Sequence, residues 1–155
     1  RRAGQWTGTW TLVCVVAMAA AACSGDPNDP RTWAKKLKDL RGQREALERL
    51  ANMDTDRAKA ALPELIELYR DTRNPDHLNA LVRFKAKETE PLFIEALEFS
   101  DSPETIDRAA IAAGALGEMK SESAIDALTK TADKQLPIKS RGNIVRLAAI
   151  RALVK

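Results

Sequence analysis

The feature that most constrains the fold of this chain is an alanine-rich stretch that runs from Arg108 to Ala132. Its first half has apolar residues at the helical spacing i, i+4 and i+8, which are Ile111, Ala115 and Met119. A polar turn follows, and a second apolar helix is predicted around Ile125 and Leu128. One pair of short helices cannot bury its apolar face alone, so it must stack on similar neighbours. The stretch therefore predicts an all-α chain of stacked helical hairpins.

Small and polar residues mark the expected ends of these two helices. Gly117 lies where the apolar stripe of the first helix stops, which predicts a helix end at that point. Ser121 and Ser123 lie in the turn, and the hydroxyl of one of them is expected to cap the second helix.

The same residues resemble a HEAT repeat of the phycobilisome-lyase type. That pattern is roughly Arg-x-Ala-Ala-x-x-Ala-Leu-Gly, followed by a polar turn, a short apolar helix and a closing Asp. The matching positions are Arg108, Ala110, Ala113, Leu116, Gly117, Ile125, Leu128 and Asp133. The resemblance implies an α-solenoid of stacked HEAT-like hairpins. It also implies binding of proteins through an extended surface, as helical-repeat relatives generally do.

Weaker copies of the hairpin lie on both sides of the central one. The segments 62–66 and 90–94 align, and each has a proline at its second position. Proline is tolerated best in the first turn of a helix, so both segments are expected to begin second helices. The predicted helices cover residues 44–53 with 58–69, 76–85 with 91–99, and 144–155 as the first helix of a fourth repeat that Asn143 caps.

The repeat domain is expected to cover residues 31–155. A helix over 31–40 begins it, with Trp33 capping the first repeat and Leu37 and Leu40 on the same face. The sequence begins without Met and stops within a helical pattern, so we expect it to be a fragment of a longer protein.

The first 22 residues have the layout of a secretory signal peptide. Arg1 and Arg2 precede an uncharged, largely apolar middle, and a run of alanines leads to Cys23. This layout resembles a bacterial lipoprotein signal. The resemblance implies cleavage before Cys23, acylation of that cysteine, and a location at the outer membrane facing the periplasm. Residues 23–30, which include a glycine and two prolines, are then expected to be a flexible tether.

Two other interpretations of the N-terminal segment stay open at this point. Residues 6–22 also fit an uncleaved membrane helix, although they are at the short limit for crossing a bilayer, or an ordinary cleaved signal. Cys14 lies in the apolar middle and is removed with a cleaved signal, so we expect no disulfide.

The charge balance does not indicate a nucleic-acid partner. The chain has 25 basic and 22 acidic side chains, but two of the basic ones belong to the signal segment. The remaining 23 basic and 22 acidic side chains leave a formal charge of +1. The charge of the mature part is thus nearly neutral, and a nucleic-acid partner is not implied.

The sequence shows no arrangement typical of an enzyme or a metal site. His77 is the one histidine, whereas metal sites and catalytic triads need several convergent groups, so we expect a surface or capping role for it. The pairs Glu64/Glu67 and Glu95/Glu98 lie three residues apart, which fits a solvated helix face. We therefore expect no enzymatic activity and no cofactor.

Two surfaces are candidates for partner binding. The first is the basic connector before the last helix, with Lys134, Lys139 and Arg141, for which a solvated loop is the simpler alternative. The second is the exposed side of the second helices, where stacked hairpins form an extended surface. Its candidate residues are Glu64, Glu67, Glu95, Asp126 and Lys130.

These observations predict a lipid-anchored helical-repeat scaffold that binds an unidentified protein at the bacterial cell envelope. One alternative is a structural spacer in the envelope. Another is an accessory module of a lyase-like enzyme, because phycobilisome-lyase relatives attach bilin chromophores, although an exported lipoprotein is in the wrong compartment for that role.

Overall fold

The computed structural model describes residues 26–155. The predicted signal peptide at 1–22, the lipidation site Cys23 and the first part of the tether lie outside these residues. Within 26–155 every regular element is helical and no strand occurs. The α-helices are α1 (Pro30–Lys36), α2 (Gln43–Asn52), α3 (Thr55–Ala58), α4 (Leu62–Thr72), α5 (Pro75–Val82), α6 (Glu90–Ala96), α7 (Pro103–Met119), α8 (Ile125–Ala132) and α9 (Asn143–Leu153).

The helices stack as hairpins, which confirms the predicted α-solenoid. The first helices α5, α7 and α9 lie side by side, because α7 contacts both of the others. The second helices α4, α6 and α8 are each preceded by a short 3₁₀ turn. One apolar core runs through the stack, and it includes Leu50, Leu65, Leu81, Phe93 and Leu116. No helix between residues 26 and 155 is long and apolar enough to cross a membrane.

Local sequence signals explain where several helices begin. Proline lies in the first turn of α1, α4, α5, α6 and α7, where the missing N–H removes no helical hydrogen bond. Side-chain oxygens accept from free backbone N–H groups at four helix starts, which are Asp29, Asp54, Asn74 and Ser102.

Gly117 does not end its helix, contrary to the prediction. It is buried inside α7, which continues to Met119 and ends at Lys120 in the left-handed conformation (φ 51°). A Cβ atom at Gly117 would lie 2.7 Å from the Cα atom of Ala152 in α9. The glycine is therefore needed for the close approach of two helices.

Three other local predictions were wrong. The N-terminus of α8 has no side-chain cap. Instead, Ser121 and Ser123 both donate to Glu90 Oε1 in α6, the latter over 2.9 Å. Asn143 lies inside α9 rather than capping it, and its amide donates to carbonyls of the connector. Leu40 is exposed because α1 already ends at Lys36.

Two arginines each fasten a hairpin to the one before it. Arg83, which follows α5, donates to the carbonyls of Leu50 (2.5 Å) and Met53 (2.8 Å) at the end of α2. Arg146 in α9 donates to the carbonyl of Ala132 at the end of α8 (2.9 Å). The last carbonyls of a helix lack partners within the helix, and a cation near them is favourable.

Candidate protein-binding groove

A groove lies between the second helices α6 and α8, and we call it the α6–α8 groove. Its volume is about 910 Å³. Apolar side chains and charged side chains both line it, and they are Ile94, Leu97, Phe99, Ala127, Glu95, Glu98, Lys130, Thr131, Asp133 and Lys134. The groove is the space between the exposed sides of α6 and α8, which belong to adjacent hairpins. An apolar floor with a charged rim is typical of a protein-binding surface.

Lys134, a predicted partner-binding residue, has an internal contact at the end of this groove. Its Nζ atom donates to the carbonyl oxygen of Phe99 (2.8 Å) and lies 3.9 Å from the centroid of the Phe99 ring. The ammonium group thus satisfies a free carbonyl and stacks on an aromatic face. Lys139 and Arg141 are exposed on the connector and do not line the groove. The structure therefore separates the three predicted residues.

Glu95 at the groove is fixed by an ion pair with Arg73. Arg73 Nη2 lies 2.8 Å from Glu95 Oε1, which links the end of α4 to α6. The hydrogen bond and charge of Arg73, together with the charges of Arg108 and Arg70, hold the pKa of Glu95 below its usual range. Both partners are partly exposed, so this pair contributes at most about 1 kcal/mol to stability.

Tyr69 lies beneath this ion pair and is fully buried. The guanidinium carbon of Arg73 lies 5.7 Å from the centroid of its ring. Neither the Tyr69 hydroxyl nor Nε of Arg108 finds a hydrogen-bond partner in the described part of the chain. Burial raises the pKa of the Tyr69 hydroxyl, and the charge of Arg108 opposes that shift. The hydroxyl therefore costs stability without serving the groove.

The other predicted residues of the second helices are divided between surfaces. Glu95 and Lys130 share the α6–α8 groove. Glu64 and Glu67 line a separate depression beside α4, where Lys38 Nζ pairs with Glu67 Oε2 over 3.1 Å. Asp126 is exposed and lines neither. Ile94, the half-buried apolar residue of the groove floor, was not among the predicted partner-binding residues.

His77 is buried, which corrects the prediction of a surface or capping residue. Only 3% of it is exposed, and its Nδ1 lies 2.7 Å from the hydroxyl oxygen of Thr72. That hydroxyl already donates to the carbonyl of Leu68, so Nδ1–H donates to Thr72. Burial lowers the pKa of His77. Across residues 26–155, no group of His, Cys, Asp and Glu side chains is arranged to hold a metal ion.

Comparison with known proteins adds one match. Residues 109–134, which cover most of α7 and all of α8, match the family model of the PBS lyase HEAT-like repeat. No curated protein and no solved structure matches the chain significantly. HEAT-like repeats commonly mediate protein–protein interaction, and α8 of the matched repeat forms one wall of the α6–α8 groove. The chain is thus an α-solenoid in which residues 109–134 are similar to the PBS lyase HEAT-like repeat.

Proposed function

We propose that this protein is a scaffold that binds a segment of a partner protein in the α6–α8 groove. The observation that supports the proposal is the composition of that groove. Ile94, which is half-buried, offers apolar contact area at its floor, while Glu98 and Lys130 lie at its rim. Apolar contacts at the centre of an interface supply most of the affinity, and rim charges select the partner.

The rim carries both signs of charge, which limits the kind of partner. Glu95 and Glu98 come from α6, whereas Lys130 comes from α8 and Asp133 follows it. The α6 side of the groove is therefore acidic, and the α8 side carries both signs. A partner segment with apolar residues in the middle and basic residues toward α6 fits this arrangement best.

The scaffold is proposed to be attached to the outer membrane through a lipid on Cys23 and to face the periplasm. The support for this part is the sequence of the first 23 residues, with its basic start, apolar middle and small residues before the cysteine. The few residues from Cys23 to α1 place the repeat domain close to the bilayer surface. The partner is then an envelope or periplasmic protein.

Site-specific crosslinking tests the groove. A photoreactive p-benzoylphenylalanine replaces Glu98 or Lys130 in the full chain in cells, and the matched control replaces Glu45, an exposed residue of α2. We expect the same adduct from both groove positions and not from the control. With the purified partner, Ile94→Ala is expected to weaken binding about tenfold, whereas Glu45→Ala leaves it unchanged. Equal adducts from all three positions contradict the proposal.

Lipid labelling tests the anchor separately. Cells that produce the full-length protein are fed an alkyne-labelled fatty acid, and the parent is compared with Cys23→Ser. We expect label and outer-membrane fractionation for the parent only. If both proteins behave alike, the lipid anchor is wrong, while the groove proposal is unaffected.

A further inference from the structure

The segment that precedes α1 is bonded to the repeat domain. Nε1 of Trp33 donates to the carbonyl of Pro27 over 2.8 Å, and Nη2 of Arg57 donates to the carbonyl of Asn28 over 2.9 Å. Asp29, the next residue along the chain, caps α1. The chain from Pro27 onwards therefore belongs to the folded domain.

Few residues separate this bonded segment from the proposed anchor. Ser24, Gly25 and Asp26 are the residues between Cys23 and Pro27. Fully extended, that length of chain spans at most about 14 Å. A lipid on Cys23 therefore holds the start of α1 close to the bilayer surface.

The exposed side of α1 is basic. Arg31, Lys35 and Lys38 recur at the spacing i, i+4, i+7, which places them on one side of the helix, and all three are exposed. Arg41 is exposed in the loop between α1 and α2. Within residues 26–155, Arg31, Lys35 and Arg41 form no ion pair. Lys38 pairs with Glu67, yet 66% of its side chain stays exposed.

The charge of this part contrasts with that of the domain that follows. Residues 30–44 contain six basic side chains and one acidic one, whereas residues 45–133 contain 11 basic and 19 acidic side chains. A second basic segment, residues 134–155, comes after α8 at the opposite end of the stack. Of the two basic segments, the one that includes α1 is thus the one next to Cys23.

An exposed leucine lies within the same basic segment. Leu40, in the loop between α1 and α2, is 88% exposed, and Arg41 follows it directly. Surfaces that lie in the interfacial plane of a membrane combine Lys and Arg with apolar side chains that enter the headgroup region. We call Arg31, Lys35, Lys38, Leu40 and Arg41 the α1 basic face.

We propose that the α1 basic face lies on the anionic phospholipid headgroups of the membrane to which Cys23 is attached, a proposal that rests on the anchor proposed above. The basic side chains contact lipid phosphates, and Leu40 enters the headgroup region. Each basic residue at an anionic bilayer favours such contact about fivefold. The orientation of the solenoid, and with it that of the α6–α8 groove, is then fixed relative to the membrane.

Fluorescence quenching in vesicles tests the contact. The full-length protein with Leu40→Cys is produced in cells, labelled with a nitrobenzoxadiazole dye and placed in vesicles that contain a nitroxide-labelled phospholipid, which quenches a dye at the bilayer. We expect quenching in vesicles with phosphatidylglycerol and its loss in vesicles of phosphatidylcholine alone. The matched control is Glu122→Cys, in the exposed turn before α8, which is expected to be unquenched in both. High salt is expected to reduce the quenching, because it screens surface charge.

Two double variants of the Leu40→Cys protein locate the contact. Arg31→Glu with Lys35→Glu is expected to abolish the quenching in phosphatidylglycerol vesicles. Lys139→Glu with Arg141→Glu, an equal charge change on the exposed connector, is expected to leave it unchanged. Far-ultraviolet circular dichroism confirms that each variant is folded.

Three results overturn the proposal. The first is a dye at position 40 that is unquenched in phosphatidylglycerol vesicles or equally quenched in both kinds of vesicle. The second is an equal loss of quenching in the two double variants, because net charge and not the α1 basic face is then responsible. The third is a dye that lipid does not quench but that native membranes protect from reduction by dithionite, because the occupant is then an acidic protein.

Failure of the lipid anchor gives a different result. Acylation of Cys23 and removal of Cys14 leave the parent without a free thiol, so uptake of dye by the parent shows that the anchor is wrong. The Leu40→Cys measurement is then repeated with Cys14→Ser and Cys23→Ser. Quenching in phosphatidylglycerol vesicles still supports the α1 basic face, and its absence overturns the proposal.

Discussion

Replacing Gly117 by alanine tests how the first helices of adjacent hairpins are held together. The new Cβ atom would lie 2.7 Å from the Cα atom and 2.8 Å from the Cβ atom of Ala152. These atoms belong to the backbone and its first side-chain carbon, so no rotamer change relieves the clash and α9 must move as a whole. Overpacking of this kind costs about 1–3 kcal/mol, and the backbone clash places it in the upper half of that range.

An opposing term comes from helix propensity. Alanine is more favourable than glycine in the middle of a helix by about 1 kcal/mol. The free energy of unfolding of Gly117→Ala is therefore expected to fall by roughly 1–2 kcal/mol.

Gly114 provides a matched control on the same helix. A Cβ atom there meets nothing within 4 Å, so Gly114→Ala gains the propensity term alone. Its free energy of unfolding is expected to rise by up to about 1 kcal/mol. The same chemical change three residues apart thus has opposite signs, and the difference isolates the contact between α7 and α9.

Urea unfolding, followed by circular dichroism at 222 nm, measures both variants against the parent. Hydrogen exchange then shows whether Gly117→Ala loosens the amides of α9 first. If Gly117→Ala stabilises the protein as Gly114→Ala does, α7 and α9 are not in the close contact described here, and the reasoning fails.

Three further predictions concern buried polar groups. Tyr69→Phe removes a buried hydroxyl without a partner and is expected to raise the free energy of unfolding by about 0.5–1 kcal/mol in the same urea assay. A loss of stability would show that the hydroxyl does have a hydrogen-bond partner. Because burial lowers the pKa of folded His77, the unfolded state binds the proton first as the pH falls. The contribution of His77 to stability is therefore complete above pH ~6.5 and is lost below it. Melting temperatures of the parent and His77→Gln at pH 5 and 7.5 test whether this pH dependence is smaller in the variant. Arg83→Met leaves the carbonyl of Met53 without its donor and removes one of two donors from the carbonyl of Leu50, so it is expected to cost about 1–3 kcal/mol. Arg44→Met, at an exposed position, is expected to change stability by less than about 0.5 kcal/mol.

Sequence patterns predicted the helical class and most helix positions, because those depend on neighbouring residues. The predicted helix over 44–53 is α2 at Gln43–Asn52, and Pro63 and Pro91 lie at helix starts as predicted. Such features depend on apolar spacing, proline geometry and caps within a few residues. Each of these is visible in one short window of sequence.

The serine cap was predicted wrongly because the side chain has its partner far along the chain, since Ser123 bonds to Glu90, 33 residues away. The contact of Lys134 with Phe99, 35 residues away, was not visible in the sequence either. A serine in a turn and a lysine in a connector have the same local pattern whether they cap a helix, face solvent or join two hairpins. Only the stacking of the hairpins decides between these roles.

The candidate site could be predicted only in part, because it too depends on contacts between residues far apart in the chain. Stacking of hairpins indicated that the second helices form a surface, and Glu95 and Lys130 were correctly placed on it. Which residues share one groove depends on the offset between α6 and α8, and that offset is set by contacts of α7 with both neighbouring hairpins. The sequence pattern of a single repeat does not determine the offset between α6 and α8.

The arginines that fasten one hairpin to the preceding one have a consequence for synthesis on the ribosome. The carbonyl of Met53 receives its donor only when Arg83, 30 residues later, has been made and has left the exit tunnel. At a translation rate of about 5–20 residues per second, that interval lasts roughly 2–6 s. The end of α2 lacks this contact during that time. The hairpin that contains α2 is therefore completed only by the hairpin that follows it.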